Sequence, residues 1–332
     1  MLALALLGLA ACASVGPKTI PRDQFDYGQA IANSWKEQLL TNMIRMRYVE
    51  APVFVNVSSV INQYSLEGNV ALGVGANSSI TSGNTATVGG SARFTDRPTI
   101  TYTPVSPEAI FALVQAGWLP EVIMRLTVRS MNRVRNASAA PLNRRPADRR
   151  FMELMQVWGR LREARALGLR RDSDGEDSKI VVYQTLDEPE PQVERDLQFL
   201  REALDLDPGA REYTMSYGLI PNHPNEIAVL TSSMLELLND LGWRVDVPPE
   251  HVEEGRTGST FVDPEGTPPL IRVHVARERP ADAYAAIRSR DCWFYIDDRD
   301  MFSKRTFAIM QILLSLTESG EAARGPVVTI GS

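Results

Sequence analysis

Cysteine and histidine are scarce: the chain has two cysteines and three histidines in 332 residues. Two thiols cannot build a disulfide framework. His223, His251 and His274 stand far apart, without the paired spacing that a zinc enzyme or another metal-ligand cluster needs. The phosphate loop, the dinucleotide fingerprint and the GxSxG and SxxK nucleophile signatures are missing as well. The expectation is a non-enzymatic protein with no catalytic residue, no metal and no cofactor. Long apolar runs are also lacking. The run from Met1 to Ala11 makes about 16 Å of helix at roughly 1.5 Å per residue, half of a hydrocarbon core of roughly 30 Å. What is present, 44% hydrophobic and 23% charged residues, is enough to bury a core.

That apolar run ends in Leu9, Ala10 and Ala11 before Cys12, and the Pro- and Gly-bearing stretch "SVGPKTIPRDQF" follows. The order Leu-Ala-Ala-Cys resembles the lipobox of bacterial lipoproteins. The resemblance implies a signal peptide over residues 1–11, cleavage before Cys12 and acylation of its thiol, with 12–24 as a lipid-anchored tether. Ala13 stands where retention at the inner membrane would favour Asp, so the implied address is the outer membrane, on its periplasmic face or at the cell surface. Cys292 then has no partner and, inside "CWFYI", reads as a small core residue.

Ile31, Trp35, Leu39, Met43 and Ile44 recur at helical spacing between Asp26 and Tyr48. Helices are also predicted over "PEAIFALVQAGWL", "EVIMRLTVRSM", "FMELMQVWGRLREARAL", "PQVERDLQFLREALDL", "NEIAVLTSSMLELLNDLGW" and "SKRTFAIMQILLSLTES". Strands are predicted over "PVFVNVSSVINQYSLEG", the return stretch "TDRPTITYTP", "KIVVYQTL" after a solvated "DSDGEDS" turn, "REYTMSYGLI", "PLIRVHVAR", "CWFYIDD" and "PVVTI", with "AYAAIRS" a further element of unassigned type. Strands and helices mix without a βαβ rhythm, which favours a single α+β domain over 25–332, a mixed or antiparallel sheet with packed helices.

"VALGVGANSSITSGNTATVGGSARF", residues 70–94, is nearly free of charge. By parity, Val70, Leu72 and Val74 on one arm and Ala86, Val88 and Phe94 on the other form a mildly apolar face, opposite a face of Gly, Ser, Thr and Asn. "SGN" at 82–84 suits a hairpin tip. The expectation is a long projecting Gly/Ser-rich β-hairpin within residues 64–104. Each arm matches the about 9 to 11 residues of a membrane-crossing strand. One hairpin cannot cross alone, because its edges would leave backbone groups unpaired in hydrocarbon. In pattern the segment is similar to the inserting hairpins of oligomeric pore-forming lipoproteins, and it equally fits a sheet edge used for self-association or a mobile arm.

Charge is unevenly spread. From Arg125 to Arg171 thirteen arginines face three acids and no lysine, so of a total charge of −6 the rest of the chain carries about −16. Arginine's planar fork suits phosphate and carboxylate. Arg144, Arg145, Arg149 and Arg150 are the candidate anion-binding residues, with intramolecular docking on acidic surface as the competing use. "DDRD", Asp297–Asp300, and "HPNE", His223–Glu226, each read as a loop and helix cap, with Asp300 or Ser303 accepting helix N–H bonds; Asp297 or Asp300 in a hydrolase is the sharper alternative for the first.

"FDYGQAIANSWKEQLLTNMIRMRY", "DRPTITYTP" and "CWFYIDDRDMFSKRTFAIMQILLSL" resemble a family of proteobacterial outer-membrane lipoproteins, a likeness that implies the address but no activity. Two functional readings follow. The first is a self-associating structural subunit of a cell-envelope assembly, a homo-oligomer built through the hairpin and related to a pore or to export. The second is a monomeric periplasmic module that holds an anionic envelope polymer on the arginine segment 125–171. Partners are outer-membrane lipid and an envelope protein or cell-wall polymer, and no nucleic acid.

Overall fold

The computed structural model describes residues 20–54, 104–174, 177–264 and 266–322. Cys12 and the segment read as a signal peptide, the expected hairpin with Val70, Leu72, Val74, Ala86, Val88 and Phe94, and the expected "PVVTI" strand lie outside the described residues. The chain divides into a body, Met1–Pro52 with Ile100–Ser332, and a second unit, Val53–Thr99. The body is α+β: its described residues form eight α-helices, a mixed six-stranded sheet and an antiparallel three-stranded one.

Helix α1 (Ile20–Arg47) begins five residues inside the segment read as a tether. Pro21 falls in the first turn, where a helix leaves its N–H groups unbonded, so proline does not interrupt it. Leu39, Leu40, Met43 and Ile44 form its buried face, while Trp35 from the predicted stripe remains 43% exposed. Helices α2 (Pro107–Gln115) and α3 (Pro120–Thr127) both open on proline, and Ser106 caps α2 by accepting from the Ala109 N–H at 3.2 Å.

The helix predicted through "EVIMRLTVRSM" stops at Thr127. Val128–Met131 is strand β1, returning through β2 (Val134–Arg135). The turn between them holds Asn132 and Arg133 at φ of 42° and 72°, left-handed conformations that match the twist of a two-residue hairpin. Asn132 is held there because its side chain donates to the Leu204 and Glu226 carbonyls and accepts from the Ala228 N–H.

Helix α4 (Arg149–Glu163) is followed by Arg165 at φ 54°, which turns the chain, and strand β3 (Leu167–Asp174) comes next where only helix and turn were expected. It pairs residue by residue with β4 (Asp177–Gln184). Helix α5 (Pro191–Leu204) packs on α4, and β5 (Glu212–Tyr217) extends the sheet.

"NEIAVLTSSMLELLNDLGW" is corrected from one helix to a strand and a helix, β6 (Glu226–Thr231) and α6 (Met234–Gly242). The break is a capping box: the Ser233 hydroxyl accepts from the Glu236 N–H at 3.3 Å, and the Glu236 carboxylate accepts from the Ser233 N–H at 2.9 Å. "HPNE" therefore precedes a strand and not a helix. The sheet order is β2-β1-β6-β5-β4-β3, antiparallel except between β5 and β6.

Parallel neighbours ordinarily need a crossover of a dozen residues or more, yet β5 and β6 are joined by eight, 218–225. Buried Glu226 pins that loop. Its carboxylate accepts from the Ser216 hydroxyl, the Asn222 backbone N–H and the Asn222 side-chain amide.

The last third carries helix α7 (Pro249–Glu253), strands β7 (His274–Ala276), β8 (Ala283–Ser289) and β9 (Cys292–Asp297), and helix α8 (Met301–Ala322). The predicted strand "PLIRVHVAR" shrinks to three residues, and "AYAAIRS" is a strand. The order is β7-β9-β8. Arg290 and Asp291, at φ of 51° and 62°, make a second two-residue turn without glycine. Cys292 is buried, as expected of a core residue.

Helix α1 packs on α6 and β8. The α1–α6 contact is so close that a Cβ on Gly242 would stand 2.8 Å from the Met43 carbonyl oxygen and 3.3 Å from the Arg47 nitrogen. Backbone cannot yield as a flexible side chain does, so Gly242→Ala is expected to lower unfolding free energy by about 1–3 kcal/mol in urea denaturation, the usual scale of overpacking.

Candidate functional site

Between α3, α6 and the irregular segment 136–145 the body contains a cavity of about 930 Å³. Two groups of side chains line it. Leu126, Val128, Met152, Leu241 and Trp243 supply apolar wall, while Arg125, Arg129, Arg145 and Arg244 bring cationic heads. Trp243 is buried with Ala139 and Phe261, and the Arg47 and Arg144 guanidiniums lie 4.7 and 5.7 Å from its ring centroid.

The four lining arginines divide by partner. Arg129 pairs with Glu236 at 2.8 Å, and Arg244 pairs with Asp240 at 2.9 Å one helical turn away. Among the described residues neither Arg125 nor Arg145 forms an ion pair. Arg125 donates to the Pro268 carbonyl at 3.3 Å and Arg145 to the Asn136 carbonyl at 3.2 Å. Asn136 donates through its side-chain amide to the Arg125 main-chain carbonyl at 2.9 Å, while its own carbonyl takes the Arg145 side chain.

Burial lowers the affinity of the Arg125 guanidinium for its proton, and Arg244 lowers it further against the pull of Asp263. Arg145 is shifted the same way by burial and then by Arg135 and Arg129, with Asp148 and Asp240 opposing. Both are thus cations in a partly desolvated place that a bound negative charge would relieve.

The predicted set is dispersed. Arg144 docks on the chain itself, donating to the Ser259 carbonyl at 3.1 Å and hydroxyl at 3.4 Å. Arg149 stands in the exposed first turn of α4, 3.6 Å from Glu153, with Arg150 exposed beside it. Only Arg145 of the four lines the cavity. Much of the remaining arginine segment is used internally: Arg160 makes two bonds to Asp196, Arg162 reaches Glu121, and Arg170 bridges Asp172 and Glu212. The Arg160 bonds lower the Asp196 pKa below the ordinary carboxylate value. The concentration of arginine pointed toward Arg125 and Arg129; Arg244 and Trp243, more than seventy residues beyond that segment, were not anticipated.

"DDRD" is a cap. The Asp300 carboxylate accepts from the Ser303 N–H at 3.0 Å and from its hydroxyl at 2.6 Å, and Asp297 accepts from the Arg299 N–H at 2.8 Å. Asp298 is paired with Lys304 at 2.7 Å and Arg299 with Asp282. No group of three His, Cys, Asp or Glu suited to a metal occurs among the described residues, and no described helix is long and apolar enough to cross a membrane. Comparison with protein families, curated proteins and solved structures finds no match for the chain.

Burial works to raise the Asp300 pKa, but bonds from Ser303, the Arg272 charge and the Phe302 N–H together hold the carboxyl below its ordinary value. A depressed carboxyl stabilises the fold above its unfolded pKa of about 3.9, and that contribution disappears as pH falls through the folded value. Asp300→Ala is therefore expected to cost about 1 kcal/mol at neutral pH, the scale of a lost N-cap. Urea midpoints should approach those of the parent protein as pH falls from about 4 through the lower folded pKa of Asp300.

Proposed function

We propose that this protein is an outer-membrane lipoprotein, anchored through Cys12, that binds an anionic component of the envelope at the arginine-bordered cavity. The observation that carries the reading is the pair Arg125 and Arg145, two half-buried cations facing a cavity with only backbone carbonyls as hydrogen-bond partners. A bound phosphate or carboxylate would complete their hydrogen bonding bidentately. The Leu-Ala-Ala-Cys sequence supports the address, and Arg149 and Arg150, exposed at the start of α4, would extend the positive field outward.

Cys12→Ser should move the protein from the membrane fraction to the soluble one. In that background, replacing Arg144, Arg145, Arg149 and Arg150 with Glu should weaken retention on isolated envelope fractions by roughly tenfold, equivalent to about 1.4 kcal/mol. Unchanged retention would overturn the binding reading.

Self-association through residues 64–104 is the second reading. It is favoured by the two-faced parity of Val70, Leu72, Val74, Ala86, Val88 and Phe94 and by the division of Val53–Thr99 from the body. Deleting residues 70–94 should reduce the mass of the detergent-purified particle to that of a monomer. A parent protein that is already monomeric excludes this reading.

A further inference from the structure

We infer a second binding site, for a neutral saccharide, in a pocket of about 680 Å³ between one face of the six-stranded sheet, the start of α2 and the loop before β6. It shares no lining residue with the arginine-bordered cavity, so it stands or falls independently of the binding reading above.

Strand register builds the floor. Val181 pairs with Thr214 and Thr214 with Glu226, which puts the three on one face of β4, β5 and β6. Side chains alternate along a strand, so Lys179 and Ser216, each two residues further along, lie on that face too. Pro107 and Glu108 form a wall where the chain enters α2, and His223 and Asn225 form another. The loop that carries these last two is fixed at both ends. The Gly218 N–H donates to the Val229 carbonyl at 3.1 Å, and buried Glu226 accepts from the Ser216 hydroxyl and from the Asn222 N–H and amide. A rim held in place before binding costs little ordering when a ligand arrives.

Unspent polar groups select the ligand. Glu108 and Lys179, opposite in sign, form no ion pair among the described residues, and the side chains of Thr214, His223 and Asn225 make no hydrogen bond there. Exposed polar side chains are ordinary singly, but these converge on one pocket. Glu226 adds a negative charge whose two oxygens already accept bonds from the protein. What faces a ligand is therefore a cation, an anion, a hydroxyl, an amide and an imidazole, a mixture of donors and acceptors without a dominant sign. Sugar hydroxyls, which donate and accept, match such a mixture, whereas a multiply charged ligand meets repulsion from Glu108 or from Lys179.

Tyr217 supplies the complementary surface. It lines the pocket at the end of β5 and is 53% exposed. A pyranose ring carries its hydroxyls at the edge and an apolar C–H face, and the electron-rich face of an aromatic ring suits the latter. Met215 and Pro107 extend the apolar surface beside it. The volume lies within the roughly 300–1,000 Å³ of small-molecule sites and exceeds what one sugar ring fills, which fits a short oligosaccharide.

Calorimetry on the full chain carrying Cys12→Ser tests this with three probes: tri-N-acetylchitotriose, which is uncharged and bears hydroxyls and amides, trigalacturonic acid and spermidine. The neutral trimer should bind at least about tenfold more tightly than either charged probe. Tyr217→Ala and Asn225→Ala, both at exposed positions, should each weaken it several-fold with no change in melting temperature, and Tyr217→Phe should retain it. A charged probe binding as tightly as the neutral trimer would overturn the saccharide assignment, and so would the absence of binding by all three. Trimer binding that is unchanged in Tyr217→Ala would overturn the site.

Discussion

A fully buried guanidinium holds the carboxyl end of α1 to the rest of the body. Arg47 is 0% exposed and forms no ion pair among the described residues, although the Asp246 charge acts on it. Its nitrogens donate instead to the Val245 and Gly258 carbonyls and to the Thr257 and Thr260 hydroxyls, while the Thr257 hydroxyl donates back to the Arg47 carbonyl. Burial is the main cause that lowers its pKa to about 10, which leaves it charged at neutral pH. An unpaired buried charge is tolerable only when its donors are satisfied. That requirement fixes residues 245–260 around one side chain, and Trp243 beneath the guanidinium becomes a wall of the cavity. The next residue adds a second fastening, since the Tyr48 hydroxyl bonds to buried His251 at 2.6 Å.

The cavity is a consequence of this arrangement. Gly242 lets α1 and α6 touch backbone to backbone, and α6 then presents Glu236, Asp240 and Leu241 toward the 136–145 segment. Asp240 also accepts from the Ala139 N–H at 2.5 Å, so the irregular segment is attached to the helix that it faces. Acids on α6 neutralise some lining arginines and leave others. The resulting electrostatics belong to the packing of distant segments and to none of them alone.

That division explains what the sequence made legible. The buried face of α1, the strand "CWFYID", the Asp300 cap and the burial of Cys292 are local patterns, visible within a turn or a strand. Strand β6 was hidden because apolar residues run through both halves of "EIAVLTSSMLELL", and only the Ser233–Glu236 box marks where the period changes. Strand β3 was hidden for the opposite reason: "LGLRRDSD" is polar enough to resemble a turn, and its partner β4 gives it order. Both two-residue turns use Asn, Arg or Asp in left-handed conformations where glycine is the usual signal. The cavity joins Val49, Arg145 and Arg244, positions about a hundred residues apart, and no short-range pattern announces such a meeting.

Both body segments that flank Val53–Thr99 are firmly attached. On one side the Glu50 N–H donates to the Arg45 carbonyl at 2.8 Å, and its carboxylate engages Arg290 and Arg45. On the other, Val105 exchanges bonds with Ser232 and Thr231 at the end of β6. A chain excursion between anchored ends contributes a closure entropy that grows only logarithmically, about 0.6 kcal/mol for each doubling of its length. The entropy of closing the body's chain between those two anchors therefore depends only weakly on how many residues lie between them, so length there is a nearly free variable in the closure term.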